Sequence, residues 1–430
     1  MNEKNIIGTI NSFMIALSLT SAFITRMIAA IFEIEQGVTP ILSLLAFLGT
    51  MTAVIFTNSR IYLEKKSTFF LYYILLFFLI SIMIRGIDSY ASLYFLEFIF
   101  YGLLIYLLSQ VEFYPSLVIY YSMILGNIIL INPIAFKDYI SVGYTYDFVS
   151  MDATYAILPC TVATIIYFIF LRKKGNKLLN LISIFSNIYL LYIVLFEGSR
   201  GAALAIILLF VLIVYIYISN KIKVNFGLLS LISFLSVILL FVITAIAVNI
   251  QKLLLWLDNL LLSNNIEIAA IRKTLNMIDK SGLIGILNAR DWYYEKAIEL
   301  FTQSPIYGHG IGIFADLYEG RYPHKLFLQI FAEGGKILTI PFIFILGFIL
   351  WLLIKPWSRT VILFEKRLFI LFLFIVCIPR LTFSSYLWRQ QALWLLIFFV
   401  FTLLATRKEK THNIYFLKGK DILADKNLSY

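Results

Sequence analysis

NARDWYYEKAIELFTQSPIYGHGIGIFADLYEGRYPHKLFLQIFAEGG, residues Asn288–Gly335, is the heart of the one long polar segment in a chain that otherwise alternates apolar runs with short connections. It holds two of the three histidines, His309 and His324. Irregular backbone at membrane depth survives only where protein or water covers it. A chain of apolar runs that keeps one large loop apart from them is therefore expected to place its chemistry in that loop.

Outward from that stretch, composition sets the class. The chain has 430 residues, 61% hydrophobic and 14% charged, against about 25% charged in soluble domains. This predicts an all-α polytopic membrane protein. A bilayer takes roughly 20 apolar residues to span, and twelve runs qualify, near 6–31, 39–57, 68–85, 90–109, 114–134, 151–171, 178–197, 201–219, 227–249, 337–354, 367–385 and 386–405. The sixth holds Asp152, Thr154 and Pro159 in its first half, and the last two are divided only around Arg380 to Arg389. No small-residue cleavage site follows the first run, which is read as a retained helix. Cys160 and Cys377 fall inside apolar runs, so no disulfide framework is implied.

The net charge of +11 does not point to nucleic acid, because lysine and arginine cluster in short loops. With a cytoplasmic N-terminus, the inner loops hold Arg60/Lys65/Lys66, Arg172/Lys173/Lys174/Lys177, Lys221/Lys223 and Lys355/Arg359/Lys366/Arg367. The outer connections hold Glu33/Glu35, a tyrosine-rich loop at 135–150, the corner Glu197–Gly201 and the loop 250–336, which carries nine basic and nine acidic residues. That is the positive-inside pattern. The expected organisation is nine transmembrane helices in 1–249, a large external loop of short helices at 250–336, three further spans in 337–405 and a basic cytoplasmic tail at 406–430.

Within the loop, Lys252 to Leu262 reads as a helix at the membrane surface or as an extension of the preceding span. A second helix is expected from Asn288, a candidate N-cap with Asp291 three residues on, to Thr302, stopped by Ser304-Pro305. A turn through Gly308, Gly310 and Gly312 follows, then a third helix from about His324 that Gly334-Gly335 ends.

These placements single out side chains. Arg290 and Arg200 each fall in the first turn of an expected helix, with Ser199 as a cap before Arg200. The helix dipole opposes a cation there, unless an anion is shared between guanidinium and backbone N–H groups; snorkelling at the outer interface is the alternative. His324, in a first turn, would be held neutral and able to act as a general base, or is a structural histidine. His309 sits among turn glycines and His412 in the tail. Glu97 is an intramembrane acid, with Arg26 or Arg85 as a local partner. Gly308-x-Gly310-x-Gly312 follows no strand, so it is not a dinucleotide loop. No metal-ligand spacing and no Walker loop occurs, and neither a metal nor a cofactor is expected.

In order, Gly198-Ser199-Arg200-Gly201, Arg290-x-Trp292-Tyr293, Ser304-Pro305-x-x-Gly308-x-Gly310-x-Gly312, His324-x-x-x-Leu328 and Glu333-x-Gly335 resemble the O-antigen ligase and O-antigen polymerase superfamily of bacterial envelope enzymes. The resemblance covers about 195 to 350. It departs where the family often has Asn after its histidine and this chain has Lys325. It implies a multi-pass protein of the bacterial cytoplasmic membrane, active on the outer face. The implied donor is an undecaprenyl-diphosphate-linked glycan, and the acceptor is a carrier-linked repeat unit (polymerase) or the lipid A core (ligase). It further implies His324 as base, Arg200 and Arg290 on the diphosphate with Arg321 and Ser199 beside them, and it admits a chain-length regulator as partner. Pro323-His324-x-x-x-Leu328 followed by Glu333-x-Gly335 resembles the polymerase branch. A flippase or other transporter is the reading from another class. Repeat symmetry between halves would favour it, whereas this chain sets its large loop off centre.

The loop charges generate a prediction. Single cysteines across 263–322 should react with an impermeant maleimide in intact spheroplasts, and cysteines at 172–177 or 355–367 should not; the reverse pattern would overturn the orientation.

Overall fold

The computed structural model describes residues 3–34, 63–141, 150–171, 177–221, 250–264, 269–281, 290–355, 361–383 and 387–409, with Leu45, Leu48, Gly49 and Thr52. The rest of the expected span at 39–57, the span at 227–249, Asn288, His412 and the tail beyond 409 lie outside the described residues. Among those residues every regular element is a helix. In order come α1 (Glu3–Ile31), α2 (Lys65–Arg85), α3 (Tyr90–Ser109), α4 (Pro115–Ile131), α5 (Pro133–Ile140), α6 (Met151–Leu171), α7 (Lys177–Glu197) and α8 (Arg200–Lys221). Four shorter helices follow: α9 (Ile250–Leu262), α10 (Ala269–Ser281), α11 (Asp291–Gln303) and α12 (Ile313–Leu317). The chain then closes with α13 (Leu326–Ile354), α14 (Val361–Phe383) and α15 (Gln391–Glu409). Seven described helices are long and apolar enough to cross a membrane, or eight if α4 and α5 form one bent span, where the whole sequence predicts about twelve.

One expected loop opens with a helix. α4 follows the fifth run, and the chain then turns by 94° into α5. Pro133 has no N–H to continue α4, and the Asn132 side chain instead accepts from the Ala135 N–H at 3.0 Å, capping a new helix inside the expected 135–150 loop. The loop helix expected from about His324 and the tenth run are both found in α13, which is two helices meeting at a kink at Gly335, where φ is 53° and ψ is −149°, at the expected Gly334-Gly335 break. The last two runs are parted by a 3-10 turn, Leu387–Arg389, within the expected division around Arg380 to Arg389.

Burial explains the arrangement of the helices. Leu368–Cys377 of α14 and Ala392–Val400 of α15 are buried on every side, so these two helices are the central staves. Aromatic edges close the space between them and their neighbours, with Phe78 against Trp388 at 4.6 Å and Phe98 against Trp394 at 4.9 Å. Outer helices instead present apolar faces outward, as α2 does with Phe69, Met83 and Ile84, which suits lipid as solvent. Buried hydroxyls on α1 bond back along their own helix: Ser12 to Gly8 O at 2.7 Å and Thr20 to Ala16 O at 2.8 Å.

The two ends of the bundle differ. At one end Asn11 donates to Glu112 O at 2.9 Å, and Ser116 donates to Glu365 at 3.0 Å. The opposite end carries the later turns of α1, the start of α6, the corner before α8 and the end of α14, where Arg380 meets Asp152 at 3.2 Å. There α11 and α12 pack on the first turns of α13 around Ala297, Leu300, Phe314 and Ala332, a small core separate from the main one.

Candidate active site

The corner that presents Arg200 is built from close packing. The last turn of α7, Ile193–Glu197, is widened to a π turn, a form frequent at functional sites. A Cβ on Gly198 would stand 2.5 Å from the Thr154 methyl and 2.7 Å from Val194 O, so only glycine lets the corner lie on α6. Ser199 accepts from the Ala202 N–H at 3.3 Å, which is the expected cap, and Arg200 opens α8. Lys137 of α5 grips Glu197 at 2.7 Å and holds the corner from the other side. Arg200 reaches from the corner to Thr274 of α10 at 3.4 Å.

Arg290 is not inside the first turn of its helix, as expected, but at the N-cap position before α11, with φ −91° and ψ −8°. Its side chain makes no cap bond; it donates to the Tyr294 hydroxyl. Arg200 lies within electrostatic reach of Arg290, and the two like charges oppose one another. Each also stands at the positive end of a helix. Two cations and two helix N-termini in one place form an unfavourable arrangement that an anion relieves.

His324 is likewise outside the helix that the sequence predicts for it. Its φ is 57°, in the left-handed region, and α13 begins only at Leu326. The preceding Pro323 fixes its own φ and turns the chain before the helix can nucleate. Burial is the first cause that lowers the His324 pKa to about 4, and the Arg290 guanidinium adds to it. The imidazole is therefore neutral at pH 7 through burial rather than through a helix dipole. Tyr322 meets it at a tilt of 46°, 4.1 Å between centroids, and Tyr293 meets it edge-on at 5.5 Å. Its Nδ1 is buried with no hydrogen-bond partner. Arg321 donates to the Tyr293 hydroxyl at 3.3 Å, and Lys325 lies over the Tyr294 ring at 4.1 Å. Tyrosines thus link three of the expected residues: Arg290 bonds Tyr294, Arg321 bonds Tyr293, and Tyr293 and Tyr322 meet His324.

His309 has a structural place: its Nε2 meets Leu300 O at 2.8 Å, tying the end of α11 to the glycine turn. Arg85, one partner weighed for Glu97, is paired with Asp316. Sequence reading missed Tyr294 and Tyr322, whose hydroxyl pKa values are raised chiefly by burial. Their signal was available: each lies within four residues of Arg290 or His324.

Beneath the site, the glycine turn is laced to the α13 kink. His309 N donates to Ala332 O at 3.0 Å, Gly310 N to Glu333 O at 2.8 Å and Lys336 N to Pro305 O at 2.9 Å. A Cβ on Gly308 would stand 2.5 Å from the Glu333 carbonyl carbon, and one on Gly335 would stand 2.6 Å from Gly308 N. Both residues have positive φ, so two glycines are required face to face. The buried Glu333 carboxylate completes the joint, accepting from Trp388 Nε1 at 2.9 Å, Gln329 Nε2 at 3.0 Å and Gly312 N at 3.3 Å. Glu333→Leu should strand these donors, at about 1–3 kcal/mol each, and lower both thermal midpoint and activity. Glu333→Gln, which keeps an acceptor, should lose less; equal losses in melting and turnover assays would sink this assignment.

No curated protein and no solved structure matches this chain. A family model described as O-antigen ligase matches residues 185–343, from within α7 through Arg200, Arg290 and His324 into α13. The segment that carries the candidate site is thus similar to the O-antigen ligase family, in line with the superfamily that its motifs resemble.

Proposed function

We propose that this chain transfers a glycan from an undecaprenyl diphosphate carrier to an acceptor hydroxyl, at the outer face of the bacterial cytoplasmic membrane, and that it polymerises repeat units. The observation that carries the proposal is the convergence of Arg200 and Arg290 beside a buried, neutral His324. The diphosphate binds across the two guanidinium groups, whose planar donors suit its oxygens. The acceptor oxygen attacks the anomeric carbon, its proton passes to His324 at Nδ1, and the bond to the diphosphate breaks with the electron pair leaving on the carrier. The arginines stabilise that developing charge, and configuration inverts.

The low His324 pKa acquires a role in this scheme. A base with pKa about 4 is weak, yet part of that lowering comes from Arg290. When the diphosphate neutralises Arg290, the imidazole regains basicity while it is bound to substrate. A ligase joining the same donor to the lipid A core uses the same residues; the Pro323-His324 form with Glu333-x-Gly335 favours the polymerase. A deletion strain left with single repeats on the lipid core indicates a polymerase, and one whose core bears no repeats indicates a ligase.

Arg200→Lys and Arg290→Lys should lose most activity while still inserting, because a point charge does not reproduce a bidentate contact. Normal polymer length at matched expression would return that arginine to the membrane interface. His324→Ala should lower turnover by roughly 10²-fold or more and leave donor binding intact; His309→Ala, if it folds, should not change the pH profile. The sign of the pH effect follows from the lowered pKa. His324 is a competent base above its pKa, so kcat/KM should fall as pH drops through about 4. The acid limb of kcat, which reports the loaded site, should lie at higher pH. Coincident limbs would refute the coupling of base strength to the bound anion.

A further inference from the structure

Away from the candidate site, α2, α13 and α15 enclose a cleft that glycan transfer does not use. α2 packs on α15. Pro341 lies inside α13 and has no N–H, so the carbonyl four residues before it, Ile337 O, loses its helical donor. Tyr73 of α2 supplies one instead: its hydroxyl donates to Ile337 O at 2.7 Å. That bond pins α2 to α13 just beyond the Gly335 kink. Between it and the start of α2 lies a cleft of about 450 Å³. Phe70 and Phe401 line its base, 5.4 Å between ring centroids, with Pro341 and Ile345 beside them. Phe69 and Phe344 form its walls and are each 74% exposed.

The charge on this cleft is all at one end. Lys65 and Lys66, in the first turn of α2, are its charged lining residues. Among the described residues neither lysine makes a hydrogen bond or an ion pair, and both are exposed. The adjacent carboxylate, Glu64, is engaged as the helix cap, accepting from Ser67 N at 2.6 Å. Two cations in a first turn run against the helix dipole, a conflict that a bound anion removes. This end lies opposite the candidate site. Glu64 N donates to Gln110 Oε1 at 2.8 Å there, whereas Arg85, at the other end of α2, meets Asp316 of α12. It is the end that the loop charges predict to be cytoplasmic.

We propose that this cleft holds one anionic phospholipid, with its headgroup phosphate on Lys65 and Lys66 and an acyl chain along Phe69, Phe70 and Phe344. Tyr73 stands seven residues beyond Lys66, about 10 Å along the helix, so the cleft covers the glycerol and the first part of the chain. A helix of that length, about 10–12 Å across with its side chains, would fill about twice the volume, whereas an acyl chain fits. A zwitterionic lipid would bring its own cation against the two lysines, and an anionic one does not. Basic pockets between membrane helices on the cytoplasmic side take such headgroups. The lipid bridges α2 and α13 beside the Tyr73–Ile337 bond and so steadies the helix whose kink seats the glycine turn. The inference stands independently of the glycan-transfer reading.

The test uses the full chain in detergent, with phosphatidylglycerol and phosphatidylcholine of matched chains as probes and native mass spectrometry to count retained lipid. The parent should retain one phosphatidylglycerol at concentrations where it retains no phosphatidylcholine. Lys65→Gln/Lys66→Gln should weaken that binding roughly 25-fold, about fivefold for each charge. Lys177→Gln, at the same end on α7, should leave it unchanged. Ile345→Trp, which fills the cleft and keeps both lysines, should abolish it. Phe69→Ala/Phe344→Ala alters only exposed rings; it should weaken binding and carries the test if Ile345→Trp does not fold. Phosphatidylglycerol should raise the thermal midpoint of the parent and not that of the lysine pair. Equal retention of the two lipids, or equal loss in Lys177→Gln and the lysine pair, would reduce the site to ordinary boundary lipid and overturn the inference. Binding untouched by the ring and tryptophan variants would put the lipid elsewhere and overturn it too. Glycerol 3-phosphate displacing phosphatidylglycerol at equal concentration would make this a site for phosphate alone and overturn the lipid assignment.

Discussion

A carboxylate buried away from water needs hydrogen bonds from several directions, and Glu333 receives them from three parts of the chain. Trp388 supplies one from the turn between the central staves, Gln329 one from its own helix, and the Gly312 backbone one from the loop. Gln329 in turn accepts from Leu387 N at 3.0 Å, doubling the link to that turn. A buried polar network stabilises only when its members are satisfied together. This one therefore fixes the glycine loop, the α13 kink and the α14–α15 junction as a unit. The loop that carries Arg290 and His324 is seated on that unit through α11 and the small core around Ala297 and Phe314.

The parts legible in the sequence were those governed by length and burial. Apolar runs long enough to span gave helices close to the expected limits in α1, α2, α3, α6, α7 and α8, because in lipid the backbone has little choice but to satisfy itself within the helix. The corner at Ser199-Arg200 was also legible, since a capping hydroxyl before a long apolar run has one natural place. What the sequence hid were local choices a residue or two wide. Arg290 was assigned to a helix that begins after it, and His324 to one that begins at Leu326. Both errors have one cause: a helix start is decided by tertiary contacts as much as by composition.

The pairing of Arg380 with Asp152 was hidden for a different reason. The two lie 228 positions apart in the chain, and only the packing of α6 on α14 makes them neighbours. Lys325 shows the converse. It occupies a position where the resembling family often has Asn, and the structure gives it a different use, over the Tyr294 ring beside Arg290.

The elbow between α4 and α5 ties this chemistry to the lipid around it. A span that turns by 94° at Asn132-Pro133 covers less bilayer height than its residue count allows. A change in hydrocarbon thickness presses on such an element before it presses on a straight one. α5 carries Lys137, Lys137 holds Glu197, and Glu197 leads into the corner that presents Arg200. Membrane thickness thereby bears on the corner that presents Arg200.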